Sequence, residues 1–248
     1  MRKKLQKVII PAALWVAVWA IWALRLNKPL LLPTPWAVLS ALGEMAGTGA
    51  FWRSALVSLG RFCLGFLLGA ALGSGLGVAT ALSRWCDTLL SPALRGVRTV
   101  PVVSFILLLY FSLPTAWIPV AVAALMALPV VWRACRQGMD QTDPALLEAA
   151  DNYRLGLGRK LRLIYIPSAL PALAGGWETA LGLAWKSGVA AEVLCQPKWA
   201  LGTGLQSAKT YLDAPGLFAW TVAIVALSLA TEGLLKLALR PWKGGEGA

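Results

Sequence analysis

Long apolar stretches separated by short polar or basic segments dominate the hydrophobic pattern of the chain. A helix needs about 20 mainly apolar residues to cross a bilayer core. Scanning for such stretches predicts six spans, at 8–24, 55–82, 99–111, 117–132, 172–195 and 217–239. The third is short, because a helix of that length rises only about 20 Å. We therefore expect it to borrow flanking residues or to pack inside the bundle.

One short polar segment, between the fourth and fifth stretches, has the pattern of a helix that lies outside the lipid. It reads "DPALLEAADNYRLG" over 143–156. Asp143 is a good helix N-cap, and Pro144 suits the first helical position. Four apolar positions recur at helical spacing on one face: Leu146, Ala150, Tyr153 and Leu157. This amphipathic pattern alone fits a helix lying on lipid headgroups as well as a helix docked on a partner protein.

Composition places the chain among membrane proteins. The sequence is 58% hydrophobic and 14% charged, with a mean hydropathy of +0.68, which exceeds what a soluble core of this length requires. We therefore predict an all-α integral membrane protein with about six transmembrane helices. The four cysteines are scattered and histidine is absent, so no metal site is predicted.

The net charge of +12 is distributed as a topology signal. Basic residues fall between apolar segments and at the chain ends, not in a stripe with exposed aromatics, so no nucleic-acid partner is predicted. With the N-terminus inside, only five basic residues fall on the outer side: Arg25, Lys28, Arg53, Lys198 and Lys209. This bias predicts that both termini are cytoplasmic, an N-in/C-in topology.

The same pattern divides the chain into three parts. Residues 1–52 form an N-terminal anchor helix and an extracytoplasmic amphipathic segment, 53–240 a transmembrane core containing the 143–167 cytoplasmic loop, and 241–248 a cytoplasmic tail. The first stretch follows a basic cluster, so a cleaved signal peptide is an alternative. Its long apolar run, with no small-x-small site after it, favours a retained anchor.

The segment after Asp143 resembles a known motif. The chain reads E-A-A from 148, has Arg154 three residues later, and after nine more residues reads I-Y-I-P. This resembles the EAA loop of ATP-binding-cassette (ABC) importer permeases, E-A-A-x-x-x-G, nine residues, then I-x-L-P. The residues in register are Glu148, Ala149, Ala150, Ile164 and Pro167. Arg154 stands where the family has glycine, so we expect Gly156 or Gly158 to provide the turn.

Further segments extend the resemblance over nearly the whole chain. "LLPTPWAVLSAL" (31–42), "VPVVSFILLLYF" (100–111) and "GVAAEVL" (188–194) are similar to the nitrate, sulfonate and taurine branch of these permeases. The resemblance implies a multi-pass protein of the bacterial inner membrane, in contact with lipid. It also implies a second permease copy as a homodimer, two copies of a cytoplasmic ABC ATPase, and an extracytoplasmic substrate-binding protein.

In that family the EAA helix is the coupling helix, which docks in a groove on the ATPase. The coupling residues implied here are Leu146, Glu148, Ala149, Ala150, Asp151, Tyr153, Arg154, Gly156, Ile164 and Pro167. An amphipathic helix in a groove is a common recognition mode. Leu146, Ala150 and Tyr153 would be the anchors, while Glu148 and Asp151 would take basic partners at the rim.

The chain lacks a nucleotide-binding motif of its own. A P-loop requires G-x-x-x-x-G-K-[ST], and the near match "GLAWKS" at 182–187 has tryptophan at the second glycine position and lies in a predicted span. No catalytic residue is therefore predicted. ATP and Mg²⁺ would be bound by the partner ATPase, and this chain would bind no cofactor.

Ionisable residues inside a predicted span are candidates for function, because burying them in a membrane is costly. The fifth stretch carries Glu178, Lys186 and Glu192. Glu178 and Glu192 share nearly one helix face, roughly 21 Å apart, so we expect these three residues to line a pathway in which Lys186 attracts an anion. Structural ion pairs to neighbouring helices are the alternative, or for Glu178 an interfacial position. Trp185 is a further pathway candidate, through stacking on an aromatic solute.

Other features of the spans favour structural roles. Arg61 would snorkel or pair within the bundle, and Glu232 with Lys236 would form an i,i+4 salt bridge. A glycine ridge for close helix packing is formed by Gly65, Gly69, Gly73 and Gly77. That contact would be static or, as an alternative, sliding during transport.

Three classes of function remain. The leading interpretation is the permease subunit of a binding-protein-dependent ABC importer for a small anion such as a sulfonate, nitrate or taurine. An ion-coupled secondary transporter is the alternative, but it would leave the EAA pattern unexplained and usually carries an internal repeat. An intramembrane enzyme is disfavoured because histidine and clustered carboxylates are absent.

Overall fold

The structure is a computed structural model that describes residues 2–243. The predicted tail at 241–248 therefore lies outside the described residues from 244 onward. The described chain is helical, with eleven α-helices and one π-helical turn between the eighth and ninth. In chain order they are α1 (Arg2–Leu26), α2 (Pro35–Ala46), α3 (Gly49–Leu82), α4 (Arg84–Thr99), α5 (Val102–Tyr110), α6 (Ile118–Asp140), α7 (Pro144–Asn152), α8 (Leu157–Lys160), the π turn (Leu161–Tyr165), α9 (Ile166–Cys195), α10 (Leu201–Thr210) and α11 (Ala214–Lys243).

Hydroxyl caps begin the second, third and fourth helices. The side chains of Thr34, Thr48 and Ser83 each accept a hydrogen bond from the backbone N–H three residues later, at 3.3–3.4 Å. Each cap satisfies a donor that the first helical turn leaves unpaired. The short linkers before these helices therefore end at defined residues.

The core is formed by α3, α6 and α9. Phe62 of α3, Val131 of α6 and Trp185 of α9 are buried in one apolar cluster, and α6 packs on both of the other helices. The α10 and α11 helices pack on α9 and on each other. At the periphery, α1 docks through Trp19, whose indole N–H donates to the Pro33 carbonyl at 3.1 Å and whose ring stacks on Phe218.

Within the part of the chain that the structure describes, three helices are long and apolar enough to cross a membrane. They are Gly49–Leu82, Ile118–Asp140 and Ala214–Arg240, which correspond to the second, fourth and sixth predicted spans. The 30 residues of α9 would extend about 45 Å, but the charges of Glu178, Lys186 and Glu192 lower its hydropathy. The described apolar part of α1, Ala13–Leu26, is shorter than a usual span. Six spans with both termini inside therefore stay a prediction.

The third predicted span is not one helix over 99–111. It is broken at Val100 and Pro101, and α4 and α5 meet there at 98°. Because proline has no N–H and its ring excludes the helical conformation from the preceding residue, Val100 is extended, with φ −75° and ψ 130°. The nine residues of α5 rise only about 14 Å. This segment crosses the membrane only if α4 contributes to the same bent span.

Candidate functional site

The α7 helix begins where the sequence predicts. The Asp143 side chain accepts a hydrogen bond from the Ala145 N–H at 2.9 Å, and Pro144 is the first helical residue. The helix ends at Asn152, so it is a separate element between α6 and the long α9. The cap satisfies a donor of the first helical turn within the loop itself, so α7 is a distinct element and not an extension of α6.

The turn after α7 is made by Arg154, not by Gly156 or Gly158 as expected. Arg154 has φ 52°, in the left-handed region that glycine adopts most easily. Its N–H donates to the Asp151 carbonyl, and the Leu155 N–H donates to the Ala150 carbonyl, both at 2.9 Å. This pair of bonds is a Schellman motif with Arg154 at the position after the cap. The chain therefore turns at the family's glycine position, with an arginine held in a conformation that costs about 1–2 kcal/mol.

Only part of the predicted apolar face of α7 is buried against the rest of this chain. Ala150 is buried, whereas Leu146, Tyr153 and Leu157 are 49%, 82% and 59% exposed. Glu148 and Ala149 are also exposed. Large exposed apolar side chains beside an exposed carboxylate are what a docking helix presents. The Asp151 carboxylate, by contrast, pairs with the Lys160 ammonium of the same loop.

A π-helical turn joins this loop to α9. The Ile166 N–H donates to the Leu161 carbonyl, five residues back, immediately before Pro167, which has no N–H to donate. Widening the helix by one residue gives the chain room for the proline ring. Ile164 is half-buried within this turn, and Gly156 has an ordinary extended conformation before α8.

Glu192 is fully buried near the end of α9, in a polar network rather than on an open face. Its two carboxylate oxygens accept from the Ser58 hydroxyl at 2.8 Å, and Oε2 also accepts from the Gly202 N–H at 3.1 Å. The Arg61 guanidinium pairs with Oε1 at 3.2 Å. Glu192 therefore joins α9, α3 and α10. With no exposed surface, it has no atom to offer a solute in this conformation.

The network also fixes the loop between α9 and α10. Arg61 donates to the carbonyls of Lys198 and Trp199 at 3.2 and 3.1 Å, and Gln196 and Trp199 both have positive φ. A loop with two strained residues persists only when its surroundings hold it. Sequence reasoning identified Arg61 as a residue that would snorkel or pair, but missed Ser58 and Gly202. A serine three positions before an arginine in an apolar helix was the available signal.

The other α9 candidates do not share one polar face. Trp185 is 2% exposed; its indole N–H donates to the Thr231 hydroxyl at 2.8 Å and its ring packs edge-on against Phe62. It is a core residue, and in this conformation its ring has no open face for a solute. Lys186 is exposed and pairs with no carboxylate among the described residues. Glu178 is half-buried and makes a polar interaction of its own.

The expected salt bridge between Glu232 and Lys236 does not form. The Ser228 hydroxyl instead donates to the Glu232 carboxylate at 3.4 Å, and Lys236 is exposed. Glu232 also lies near α9, because its Oε1 is 3.3 Å from where a Cβ on Gly182 would be. The Glu232 carboxylate therefore lies beside α9 and the Ser228 hydroxyl and forms no ion pair with Lys236.

Each glycine of the ridge on α3 lies against the backbone or a small side chain of α6. A Cβ on Gly65 would come within 2.6 Å of the Val120 carbonyl, and one on Gly69 equally close to the Ala124 carbonyl. Gly73 and Gly77 have similarly close contacts with α6. The two helices therefore approach each other too closely for any side chain at these four positions.

Residues 66–240 match the family described as the binding-protein-dependent transport system inner membrane component. The chain belongs to this family. It is the permease component of a binding-protein-dependent ABC importer, as the EAA resemblance predicted. The match runs from the middle of α3 to α11 and includes α7.

The permease is similar over nearly its whole length to named relatives. It is 29% identical to the taurine transport system permease protein TauC of Escherichia coli (strain K12), over 94% of this chain and 88% of that protein. It is 27% identical to SsuC of Bacillus subtilis (strain 168), named for aliphatic sulfonate transport, over 93% and 83%. It is 26% identical to the bicarbonate transport system permease protein CmpB of Synechococcus elongatus, over 78% and 74%.

Solved ABC transporters share the fold of the permease. A crystal structure of an amino acid ABC transporter with histidines aligns with a TM-score of 0.63 at 18% identity, over 82% of this chain and 96% of that one. The inward-facing MetNI methionine ABC transporter aligns with a TM-score of 0.60 at 18% identity, over 85% and 98%. The arrangement of helices described above is thus that of ABC transporter chains.

Proposed function

We propose that the permease forms the pathway of an inner-membrane importer for a small sulfonate-class anion, and that a cytoplasmic ATPase docked on α7 drives it. The observation that carries the proposal is the exposed α7 surface. Leu146 and Glu148 of α7, and Tyr153 at its end, are all exposed, and the helix is capped at both ends. A groove on the ATPase would cover the two apolar side chains and place a basic residue against Glu148.

ATP and Mg²⁺ would then be bound by two ATPase copies and not by this chain. Closure of those copies on ATP would draw two α7 helices together, one from each permease of a homodimer. The motion would reach the membrane through the turn at 153–156, then α8, the π turn and α9. An extracytoplasmic binding protein would deliver the solute, and the outward apolar surfaces would contact lipid and the second permease.

Lys186 is the residue we assign to the pathway. Its ammonium is exposed on α9 and has no carboxylate partner among the described residues. An unpaired charge inside a predicted span is costly unless it faces water or a solute. A single positive charge would attract a sulfonate. The relatives named for taurine and aliphatic sulfonate transport support this class of solute. Glu178, half-buried on the same helix, would lie closer to the cytoplasmic end.

The docking assignment is tested by Glu148→Lys. We expect the wild-type chain, purified in mild detergent from its host, to retain an ATPase with a P-loop in equal amount, and Glu148→Lys to lose it through charge repulsion. The matched control is Glu44→Lys, which makes the same charge change at an exposed position on α2 and should retain the ATPase. Full retention by Glu148→Lys would contradict the docking site.

The pathway assignment is tested separately in proteoliposomes of the complete importer. Lys186→Gln should lower ATP-driven taurine uptake by about tenfold, because a focused positive charge raises the local concentration of an anion by at least that factor. Lys209→Gln, at an exposed position on α10, is the control. Unchanged uptake in Lys186→Gln would remove Lys186 from the pathway without affecting the docking assignment.

A further inference from the structure

A polar cavity of about 690 Å³ lies between α4 and the end of α6, directly before α7 in the chain. This volume is within the usual range for small-molecule sites. Its lining is mainly cationic and amide, unlike the apolar walls typical of such sites: Arg95, Arg98, Arg133, Arg136, Gln137 and Gln141. The lining also includes Trp132 and the Asp140 carboxylate. The Trp132 indole N–H donates to the Thr80 hydroxyl at 2.9 Å.

Among the described residues, one of the four arginines has a carboxylate partner. Arg136 pairs with Asp87 and with Asp140, at 3.5 Å in the second case. Among the described residues no carboxylate lies within ion-pair distance of Arg95, Arg98 or Arg133. The three side chains are exposed, and their like charges around one cavity repel one another, so an anion between them would relieve that repulsion. Each guanidinium presents a planar fork of donors that matches a phosphate or sulfonate group.

The amphipathic character of α4 fits a position of this cavity at the depth of lipid headgroups. Ser91 and Leu94 are buried, on the side of α4 that carries Asp87 and meets α6. On the opposite side, Trp85 and Leu89 are 76% and 60% exposed. An amphipathic helix with exposed tryptophan and leucine lies at the boundary between acyl chains and headgroups. In that position the arginines of α4 would lie where lipid phosphates are found.

We propose that this cavity is an oxyanion-binding site that takes a phosphate or sulfonate group between Arg95, Arg98 and Arg133. The group belongs either to an anionic phospholipid of the adjacent leaflet or to a free small anion. Placing the cavity on the cytoplasmic side rests on the proposed function, since it follows from ATPase docking on α7. Binding itself does not depend on that function, because every lining residue belongs to this chain.

The site is distinct from the proposed pathway residue. Lys186 is carried by α9, whereas the cavity is lined by α4, α6 and the residue after α6. An anion held here would lie beside the start of the loop that carries α7. Its binding would also fix α4 against α6, because Arg95 and Arg98 come from one helix and Arg133 from the other.

The test uses the full-length permease without its ATPase, so its outcome is independent of docking. Thermal unfolding and native mass spectrometry are measured in neutral detergent with phosphatidylglycerol, with phosphatidylcholine, or with sodium ethanesulfonate. The triple variant Arg95→Gln/Arg98→Gln/Arg133→Gln removes the three unpaired charges. The matched control, Arg84→Gln/Arg159→Gln/Arg162→Gln, removes three exposed arginines outside the cavity.

If phosphatidylglycerol raises the Tm of the permease and stays bound in native mass spectrometry, and if both effects are lost in the cavity triple but kept in the control, the lipid phosphate is the source. Stabilisation by ethanesulfonate in phosphatidylcholine, with the same dependence on the variants, would establish the free anion. In either case we expect affinity to fall on the order of 100-fold in the cavity triple. Equal effects of both triples, or no response of the wild type to either anion, would overturn the proposal.

A further variant separates specific recognition from general charge. Arg98→Lys keeps the positive charge but loses the planar fork, so its affinity should fall between those of the wild type and Arg98→Gln. If Arg98→Lys binds the anion as tightly as the wild type, and both triple variants weaken binding equally, attraction by net charge explains the result. The proposed oxyanion site between the three arginines would then be refuted.

Discussion

Removing the Glu192 carboxylate should destabilise the permease more than any other single loss of charge on α9. In Glu192→Ala, the Gly202 N–H and the Ser58 hydroxyl lose their acceptor, and the Arg61 guanidinium loses its counter-ion. Ser58 and Arg61 lie on α3 and Gly202 lies on α10, whereas Glu192 itself is carried by α9. The same substitution therefore loosens the packing of α3, α9 and α10 together.

The magnitude follows from the geometry. Removing one partner of a buried ion pair costs about 3–5 kcal/mol, mainly because the other charge stays buried. The lower end applies here, because Arg61 is 12% exposed and keeps its bonds to the Lys198 and Trp199 carbonyls. A loss of about 3 kcal/mol corresponds to a fall in Tm of about 6–12 °C for a chain of this size. Glu192→Gln keeps the volume and one acceptor, so we expect about half that loss.

The assay is thermal unfolding in detergent followed with a thiol-reactive dye, because Cys135 and Cys195 are buried in the folded chain. Limited trypsin digestion gives a local measurement. Lys198 is exposed, and the loss of the network should speed cleavage after it. Glu44→Ala, at an exposed position, is the control and should shift the Tm by less than about 2 °C.

Two results would refute the reasoning. One is a Tm of Glu192→Ala within about 2 °C of Glu44→Ala, since a buried charge would then have lost its partner at no cost. The other concerns the double variant Glu192→Gln/Arg61→Gln, which should cost less than the two single variants added together, by about 1 kcal/mol or more. Simple additivity would mean that the two side chains do not stabilise each other.

Three further predictions follow from single positions. Arg154→Gly should raise the Tm by about 2–4 °C, because glycine removes the strain of the left-handed backbone conformation, about 1 kcal/mol or more for arginine. A lower Tm would mean that the Arg154 side chain is needed in the turn. Gly69→Ala should lower stability by about 1–3 kcal/mol, because its Cβ would meet the Ala124 carbonyl at 2.6 Å. The control Gly75→Ala, with no atom within 4 Å of the new Cβ, should instead gain up to about 1 kcal/mol of stability. If both variants shifted the Tm in the same direction, the close contact at the glycine ridge would be contradicted. Trp185→Phe should lose about 1 kcal/mol with the Thr231 bond and leave the KM for taurine uptake unchanged; a raised KM would return Trp185 to the pathway.

Local features of α7 could be predicted because their causes lie within a few residues. An aspartate before a proline caps and begins a helix through bonds to the next turn, and the spacing of Glu148, Arg154 and Pro167 is itself a sequence property. The turn after α7 was assigned to the wrong residue. Glycine preference is a small energy, and the Schellman bonds to Ala150 and Asp151 outweigh it, so Arg154 turns the chain.

The roles of the charged residues in the spans were decided by tertiary structure. Glu192 meets Ser58 and Arg61, which lie 134 and 131 positions away in the chain; helical spacing within α9 carries no information about such partners. The same holds for Trp185, whose partner Thr231 lies on α11, and for Glu232, which departs from the i,i+4 pattern where α11 meets α9.

The sequence by itself determined the membrane class, most of the apolar helices, the start of α7 and the family motif, because composition, periodicity and capping act over a few turns. Only the tertiary structure decided which polar side chains are buried together and which stay exposed. Burial of a charge depends on whether another helix supplies a partner. Three helices meet at Glu192, whereas Lys186, six residues earlier on the same helix, stays exposed.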